Sequence, residues 1–226
     1  MLSLLYVILL SYLVGSIPTS IIISKLVKGI DIRQYGSGNA GGTNVMRILG
    51  FKAGITVIII DILKGLFATV VISKLMYSPF PFNNYTPFED ITLVKILCGS
   101  AAVVGHIWTI FGGFKGGKGI ATAAGMLIGI APWDILIVLG VFLIVLFISK
   151  YVSLGSISAA ISFPLTLIFR ANVLKAEVEG YGTLIYFSIG MALLLIFTHR
   201  KNIIRLIQGK EHKITNFNFL KRKNKQ

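Results

Sequence analysis

The sequence predicts an all-α protein, a polytopic helix bundle embedded in a membrane. Of its 226 residues, 13% are charged and 55% hydrophobic, against roughly 25% charged residues in a soluble globular domain. The mean hydropathy is +0.84. Apolar runs recur along most of the chain, several near the roughly 20 residues that a helix needs to cross a bilayer. The formal net charge of +14 sits in short stretches between those runs. It is therefore read as membrane topology and not as a nucleic-acid surface, which would spread Lys and Arg over a soluble fold.

In chain order the apolar segments run from Leu2 to Ser24, Gly54 to Ile72, Ile91 to Phe111, Ile120 to Ala131, Ile135 to Ile148, Leu154 to Phe169 and Tyr181 to Thr198. This predicts about seven transmembrane helices, one of them short. The segment from Ile120 ends at Pro132, so it is a half-helix or a span packed within protein. The first segment has no basic stretch before it and continues past Ile21, longer than the apolar part of a signal peptide, and is expected to stay in the membrane. Cys98, the one cysteine, has no partner for a disulfide or metal site and is read as packing. No soluble domain, internal repeat or long linker is visible. Residues 1–226 are read as one integral membrane domain with a basic tail from about 199.

Basic residues of short loops collect on the cytoplasmic side. An external N-terminus puts Lys25, Lys28, Arg33, Arg47, Lys52, Lys115, Lys118, Lys150 and nine tail residues from Arg200 to Lys225 inside, 17 of the 22 Lys and Arg. Lys74, Lys95, Arg170 and Lys175 stay outside, beside Glu89, Asp90, Asp134, Glu177 and Glu179. The expected orientation is N-terminus outside and C-terminus cytoplasmic; a five-span arrangement has the same parity.

Three polar stretches then share the cytoplasmic side. In "GSGNAGGTNVMR", Gly36, Gly38, Gly41 and Gly42 let the backbone turn and approach a ligand, while Ser37, Asn39, Thr43 and Asn44 offer neutral hydrogen bonds. Arg47 follows Thr43 by one helical turn, so both can face one site. The bland alternative is an interhelical connection in which the glycines merely turn the chain.

"FGGFKGGKGIAT", from Phe111, nearly spells a nucleotide phosphate loop, but Gly119 stands where a Ser or Thr would hold magnesium. Gly116, Gly117 and Gly119 surround Lys115 and Lys118 just before an apolar helix, which makes an anion site from amides and ammonium groups. Contact with anionic lipid head groups explains the lysines but not the glycines.

In the third stretch, His199 and Asn202 lie three apart and share a face, with Arg200 and Arg205 nearby. Ser153 and Ser156 in "SLGS" add hydroxyls beside Lys150. The terminal "KRKNKQ" reads as a solvated or lipid-facing run. Within the second span Asp61 and Lys64 can pair, for packing or for function, and His106 shortly precedes the second loop. No cysteine pair, H-E-x-x-H or carboxylate cluster points to a metal site, and neither His106 nor His199 is followed five residues later by an Asp.

In these residues the chain resembles the bacterial membrane family of acyl-phosphate:glycerol-3-phosphate acyltransferases. The resemblance rests on "GSGNAGGTNVMRILG", "GHIWTIF" followed by "FKGGKGIAT", "SLGS", and "HRKNIIRL" with "GKEHK", in the family's order over nearly the full chain. Ala40 to Gly42 and Trp108–Thr109 depart from the usual pattern, which bears on substrate details.

The resemblance implies transfer of a fatty acyl group from acyl phosphate to the 1-hydroxyl of glycerol 3-phosphate, giving lysophosphatidic acid and phosphate in an early step of phospholipid synthesis. It implies no cofactor or metal, a place in the bacterial cytoplasmic membrane with the site facing the cytoplasm, membrane lipids as surroundings, and an acyl-phosphate-producing enzyme as pathway neighbour. Catalytic roles are expected for His199, Asn202, Ser37, Arg47 and Lys118. Substrate binding is expected at Gly36, Gly38, Asn39, Thr43, Asn44, Lys115, Gly116, Gly117, Gly119, Ser153 and Ser156, with loop amides completing the phosphate cradle. Proton removal falls to His199 or to a substrate phosphate, and the direct contact to Lys115 or Lys118. The alternative from another class is a transporter or exchanger of phosphorylated metabolites; a lipid kinase is disfavoured by Gly119.

Overall fold

The computed structural model describes residues 2–77, 79–178 and 180–214; Glu179 and the "KRKNKQ" tail lie outside the described residues. Among the described residues there are ten α-helices and no strand. The helices are α1 (Leu2–Gly15), α2 (Thr19–Lys28), α3 (Gly42–Leu49), α4 (Phe51–Val70), α5 (Asp90–Ile107), α6 (Ile120–Ile130), α7 (Pro132–Ser149), α8 (Val152–Ile168), α9 (Tyr181–Thr198) and α10 (Arg200–Ile207). Six stretches are long and apolar enough to cross a membrane, and α6 is a shorter apolar helix. The eleven residues of α6 rise only about 16 Å, half of a bilayer's hydrocarbon core. It sits within the bundle, packed against α4, α5 and α7.

The first apolar segment is not one uninterrupted helix. It breaks between Gly15 and Thr19 because Pro18 has no N–H to continue the ladder. The break lies against the end of α5, where the Thr109 hydroxyl donates to the Ser16 carbonyl and the Ser16 hydroxyl to Gly105 O at 3.2 Å.

Small residues set the closest approach. A side-chain carbon on Gly65 of α4 would lie 2.1 Å from the Thr122 carbonyl of α6, and one on Gly125 of α6 only 1.9 Å from the Ile62 carbonyl of α4. The two backbones touch as small residues allow in membranes. One apolar core joins α1, α4 and α5 around Val7, Ala68, Val94 and Cys98, so Cys98 is packing as read. A larger one joins α5 through α9 around Met126, Phe163, Leu167 and Leu184. Leu136, Ile144 and Ile148 of α7 point outward among many exposed apolar side chains, as expected where lipid is the solvent.

At the end of the bundle away from the glycine loops, Arg170 donates to Asp134 Oδ2 at 2.6 Å and ties the π-helical turn after α8 to the start of α7. At the opposite end, the connection before α3, the loop before α6 and the α9–α10 junction converge. That convergence positions the site.

Candidate active site

The first wall is the loop leading into α3. Its organiser is Asn44, which is buried. The Asn44 amide nitrogen donates to the carbonyls of Ile32, Tyr35 and Asn39 at 3.2, 2.9 and 3.1 Å, and its Oδ1 accepts from the Ser37 amide at 3.0 Å. The sequence offered Asn44 as a ligand contact; instead its side chain is taken up in holding the loop. What the loop presents is the Ser37 side chain, with Thr43 and Arg47 along α3. Arg47 reaches Asn44 Oδ1 at 3.4 Å and lines the cavity from its exposed side.

The second wall is the loop before α6. The Gly116 and Gly117 amides donate to the carbonyls of Ile107 and His106, both at 3.0 Å. The Ser37 and Gly38 amides are likewise bonded within the protein. The amides of Gly116, Gly117, Ser37 and Gly38, expected to cradle a phosphate, are thus taken up within the protein, the first two by the end of α5. Gly119 caps α6 at φ +86°, where a Ser or Thr would be strained. The missing magnesium hydroxyl is thus a backbone requirement. Lys118 turns inward and its ammonium donates to Asn202 Oδ1 at 2.5 Å. Lys115 stays exposed on the outer side of the loop.

The third wall is the α9–α10 junction. His199 is buried, with Nδ1 at 2.8 Å from the Leu195 carbonyl. That contact fixes the Nδ1–H tautomer and leaves the lone pair on Nε2. After α10 the chain doubles back, and the Ile214 amide donates to Lys150 O at 2.9 Å. This return brings in Glu211, the acid of the "GKEHK" stretch, for which no role was expected. Its carboxylate accepts from Asn202 Nδ2 at 2.8 Å, Ser153 Oγ at 3.1 Å and Arg205 Nε at 2.7 Å. The signal was modest: a single acid among basic residues in "GKEHK".

The charges are tuned by this packing. Burial, opposed by the Glu211 charge, brings the Lys118 ammonium down to about 8. Burial and then the nearby Lys118 charge push His199 down to about 4, so it is a neutral imidazole at physiological pH. Burial works to raise the Glu211 carboxyl, yet its hydrogen bonds from Arg205 and Asn202 prevail and hold it below its ordinary value.

These walls enclose a cavity of about 310 Å³ with two unlike ends. The polar end gathers Ser37, Asn39, Thr43, Arg47, Lys118, Gly119, Ser153, Ser156, His199, Asn202 and Glu211. The apolar end runs between helices past Val138, Phe142, Phe163, Phe187 and Met191. A second, outer depression of about 290 Å³ shares Ser37, Asn39, Lys118 and Asn202 and adds Gly38, Lys115, Gly116, Gly117, Arg200 and Lys201. Lys118 therefore faces both spaces and Lys115 only the outer one. Gly36 lines neither and serves the turn, at φ +60°.

A family model described as glycerol-3-phosphate acyltransferase matches residues 5–209. The chain belongs to the glycerol-3-phosphate acyltransferase family. Among relatives in that family, the glycerol-3-phosphate acyltransferase of Chlorobaculum tepidum is 48% identical over 230 residues, covering 95% of this chain and 98% of that one. The one from Chlorobium phaeobacteroides strain DSM 266 is 47% identical, covering 95% and 97%. The crystal structure of PlsY, described as an integral membrane glycerol 3-phosphate acyltransferase in its glycerol 3-phosphate form, superposes with a TM-score of 0.75 at 38% identity, over 93% of this chain and 95% of that one. A second PlsY structure, in a lysophosphatidic acid form, matches with the same score at 37% identity. Like PlsY, this acyltransferase family member is a multi-pass membrane protein.

Proposed function

We propose that the protein transfers a fatty acyl group from acyl phosphate to the 1-hydroxyl of glycerol 3-phosphate, releasing lysophosphatidic acid and orthophosphate. The observation that carries this reading is the single cavity with a cationic, hydrogen-bonding head and an apolar channel between helices. An acyl phosphate has that division of chemistry, and glycerol 3-phosphate needs only the head. The relatives' names and the glycerol 3-phosphate and lysophosphatidic acid forms of PlsY support the same acceptor and product.

In the reaction, the glycerol 1-oxygen attacks the acyl carbonyl carbon, the new ester C–O bond forms, and the bond from that carbon to the phosphate oxygen breaks. Acyl phosphate is a mixed anhydride and needs no further activation. Arg47 and Lys118 face the developing phosphate charge, and Ser37, Asn202 and Ser156 supply neutral donors, an arrangement that favours the transition state because charge is greatest there. The 1-hydroxyl proton goes to the substrate phosphate. A phosphate monoester dianion has a second pKa of about 6, above the value of about 4 to which burial holds His199, so the phosphate is the stronger base. His199 orients the acceptor through Nε2.

The N-terminus lies outside and the glycine loops face the cytoplasm of a bacterial cell membrane, where both phosphorylated substrates are water-accessible. The charge distribution supports that orientation. Purified protein is offered acyl phosphate, acyl-CoA and acyl carrier protein thioester in turn, with labelled glycerol 3-phosphate and EDTA. Lysophosphatidic acid formed from acyl phosphate alone is the expected result. Equal use of the thioesters, or labelled counterflow in vesicles without acylation, overturns the proposal.

A further inference from the structure

Asp61, Lys64 and His106 are buried within two membrane spans, Phe51–Leu75 and Asp90–Gly112, and none belongs to the phosphate-binding set. They form one cluster. Lys64 Nζ is 2.8 Å from Asp61 Oδ1 and also donates to the Ile17 carbonyl at 3.2 Å, at the break between α1 and α2. The Thr19 hydroxyl donates to the same Asp61 oxygen at 3.1 Å. His106 Nδ1 faces that oxygen at 3.6 Å. An ionisable cluster is an expensive way to fasten helices inside a bilayer, and close glycine contacts already fasten α4 to α6.

The cluster reaches the active site through His106. Its carbonyl accepts the Gly117 amide at 3.0 Å, and a side-chain carbon on Gly117 would lie 2.1 Å from His106 Nε2. The imidazole is therefore seated directly beneath the residue before Lys118. On the other side of Lys118, α6 is held to α4 where Gly65 meets Thr122. Asp61 and His106 also line the wall of the same cavity. Helix α4 thus holds the Lys118 turn from both sides, once through a polar post and once through backbone contact.

We propose that Asp61, Lys64 and His106 are positioning residues that act through the Gly117 turn to set the reach of the Lys118 ammonium into the catalytic cavity. This rests on the reading of Lys118 as a phosphate-binding group. A displacement of about 1 Å at such a group lowers rate by up to about 100-fold. Asp61 Oδ1 faces the imidazole Nδ1 at 3.6 Å, and Lys64 and Thr19 hold that carboxylate at the break between α1 and α2. His106→Asn keeps a donor near the Nδ1 position; His106→Leu removes it.

The test is a double-mutant cycle on kcat/KM, because groups acting through one another are not additive. His106→Leu is expected to lower kcat/KM by roughly 10- to 100-fold, His106→Asn to recover most of it, and His106→Leu to add no more than about twofold in the Lys118→Ala background. Equal losses in both backgrounds, or a wild-type rate for His106→Leu, overturn the proposal. A second readout needs no acyl donor: lysines are reductively methylated with ¹³C, and the resonance missing in Lys118→Ala is titrated. Its midpoint shifts in His106→Leu if the post sets the Lys118 environment and stays unchanged if it does not, so this result stands apart from the identity of the donor. Should His106→Leu fail to fold, the paired change Asp61→Asn with Lys64→Met removes both charges together and enters the same cycle. Failure of both to fold while Lys118→Ala folds assigns the cluster to folding alone and overturns the proposal.

Discussion

Lys118 and Asn202, 84 positions apart in the chain, are joined by a hydrogen bond of 2.5 Å from Nζ to Oδ1. The other end of the same Asn202 amide donates to Glu211. One asparagine therefore couples the loop before α6 to the returning C-terminal segment.

The inward ammonium separates the two loop lysines. Lys118→Ala is expected to lower kcat/KM by about 100-fold or more, the scale for losing one donor to a developing anion, while Lys115→Ala stays within about threefold. Lys118→Arg is not expected to restore activity, since a planar fork does not replace a point charge. Initial rates in detergent decide it, and a larger loss for Lys115→Ala would reverse the assignment.

The pH dependence follows from Lys118. Its cation is present below about 8 and is lost as pH rises through that value, so kcat/KM falls on the alkaline side. The Glu211 charge opposes the downward shift. Glu211→Gln therefore moves the alkaline limb to lower pH, and a limb left where it was shows that another group controls it.

His199 is already neutral above about 4, so it contributes no acid limb near neutrality. His199→Gln is expected to raise KM for glycerol 3-phosphate while the limb set by Lys118 persists. Disappearance of an acid limb in this variant would make His199 the base.

Gly119→Ala tests the backbone requirement at φ +86°. The left-handed conformation costs an L-residue about 1–2 kcal/mol, and the new carbon would lie 3.1 Å from side chains of Ile107 and Val103. A thermal midpoint lowered by several degrees with reduced kcat is expected. An unchanged midpoint shows that the turn relaxes freely.

Ala160 lines the apolar end of the cavity. Ala160→Phe is expected to lower turnover of long-chain acyl phosphates more than of short ones, as overfilling a packed slot does. Equal loss with every chain length would place the acyl group elsewhere.

Much of this was legible in the chain because a bilayer imposes a simple code. Apolar length marks the helices near Phe51–Val70 and Tyr181–Thr198, and charge predicts an orientation, since lipid offers the backbone no other partner. Ser37, Arg47 and Lys118 stood out as polar residues in glycine-rich stretches, and His199 and Asn202 as a pair three apart on one face; all five line one cavity. The break at Pro18 falls inside the segment read as apolar from Leu2 to Ser24, because mean hydropathy is blind to a missing N–H.

By itself the sequence determined a multi-span helical membrane protein with its polar chemistry gathered in three stretches, because hydropathy and glycine content are local properties. Only the tertiary structure decided how each polar group is used. It turned Lys118 inward and left Lys115 out, bound Asn44 within its loop and the Gly116 and Gly117 amides to the end of α5, and folded Glu211 back onto Asn202. Each outcome depends on which donors and acceptors lie within about 3 Å in the folded chain, and residues 84 positions apart carry no local trace of that distance.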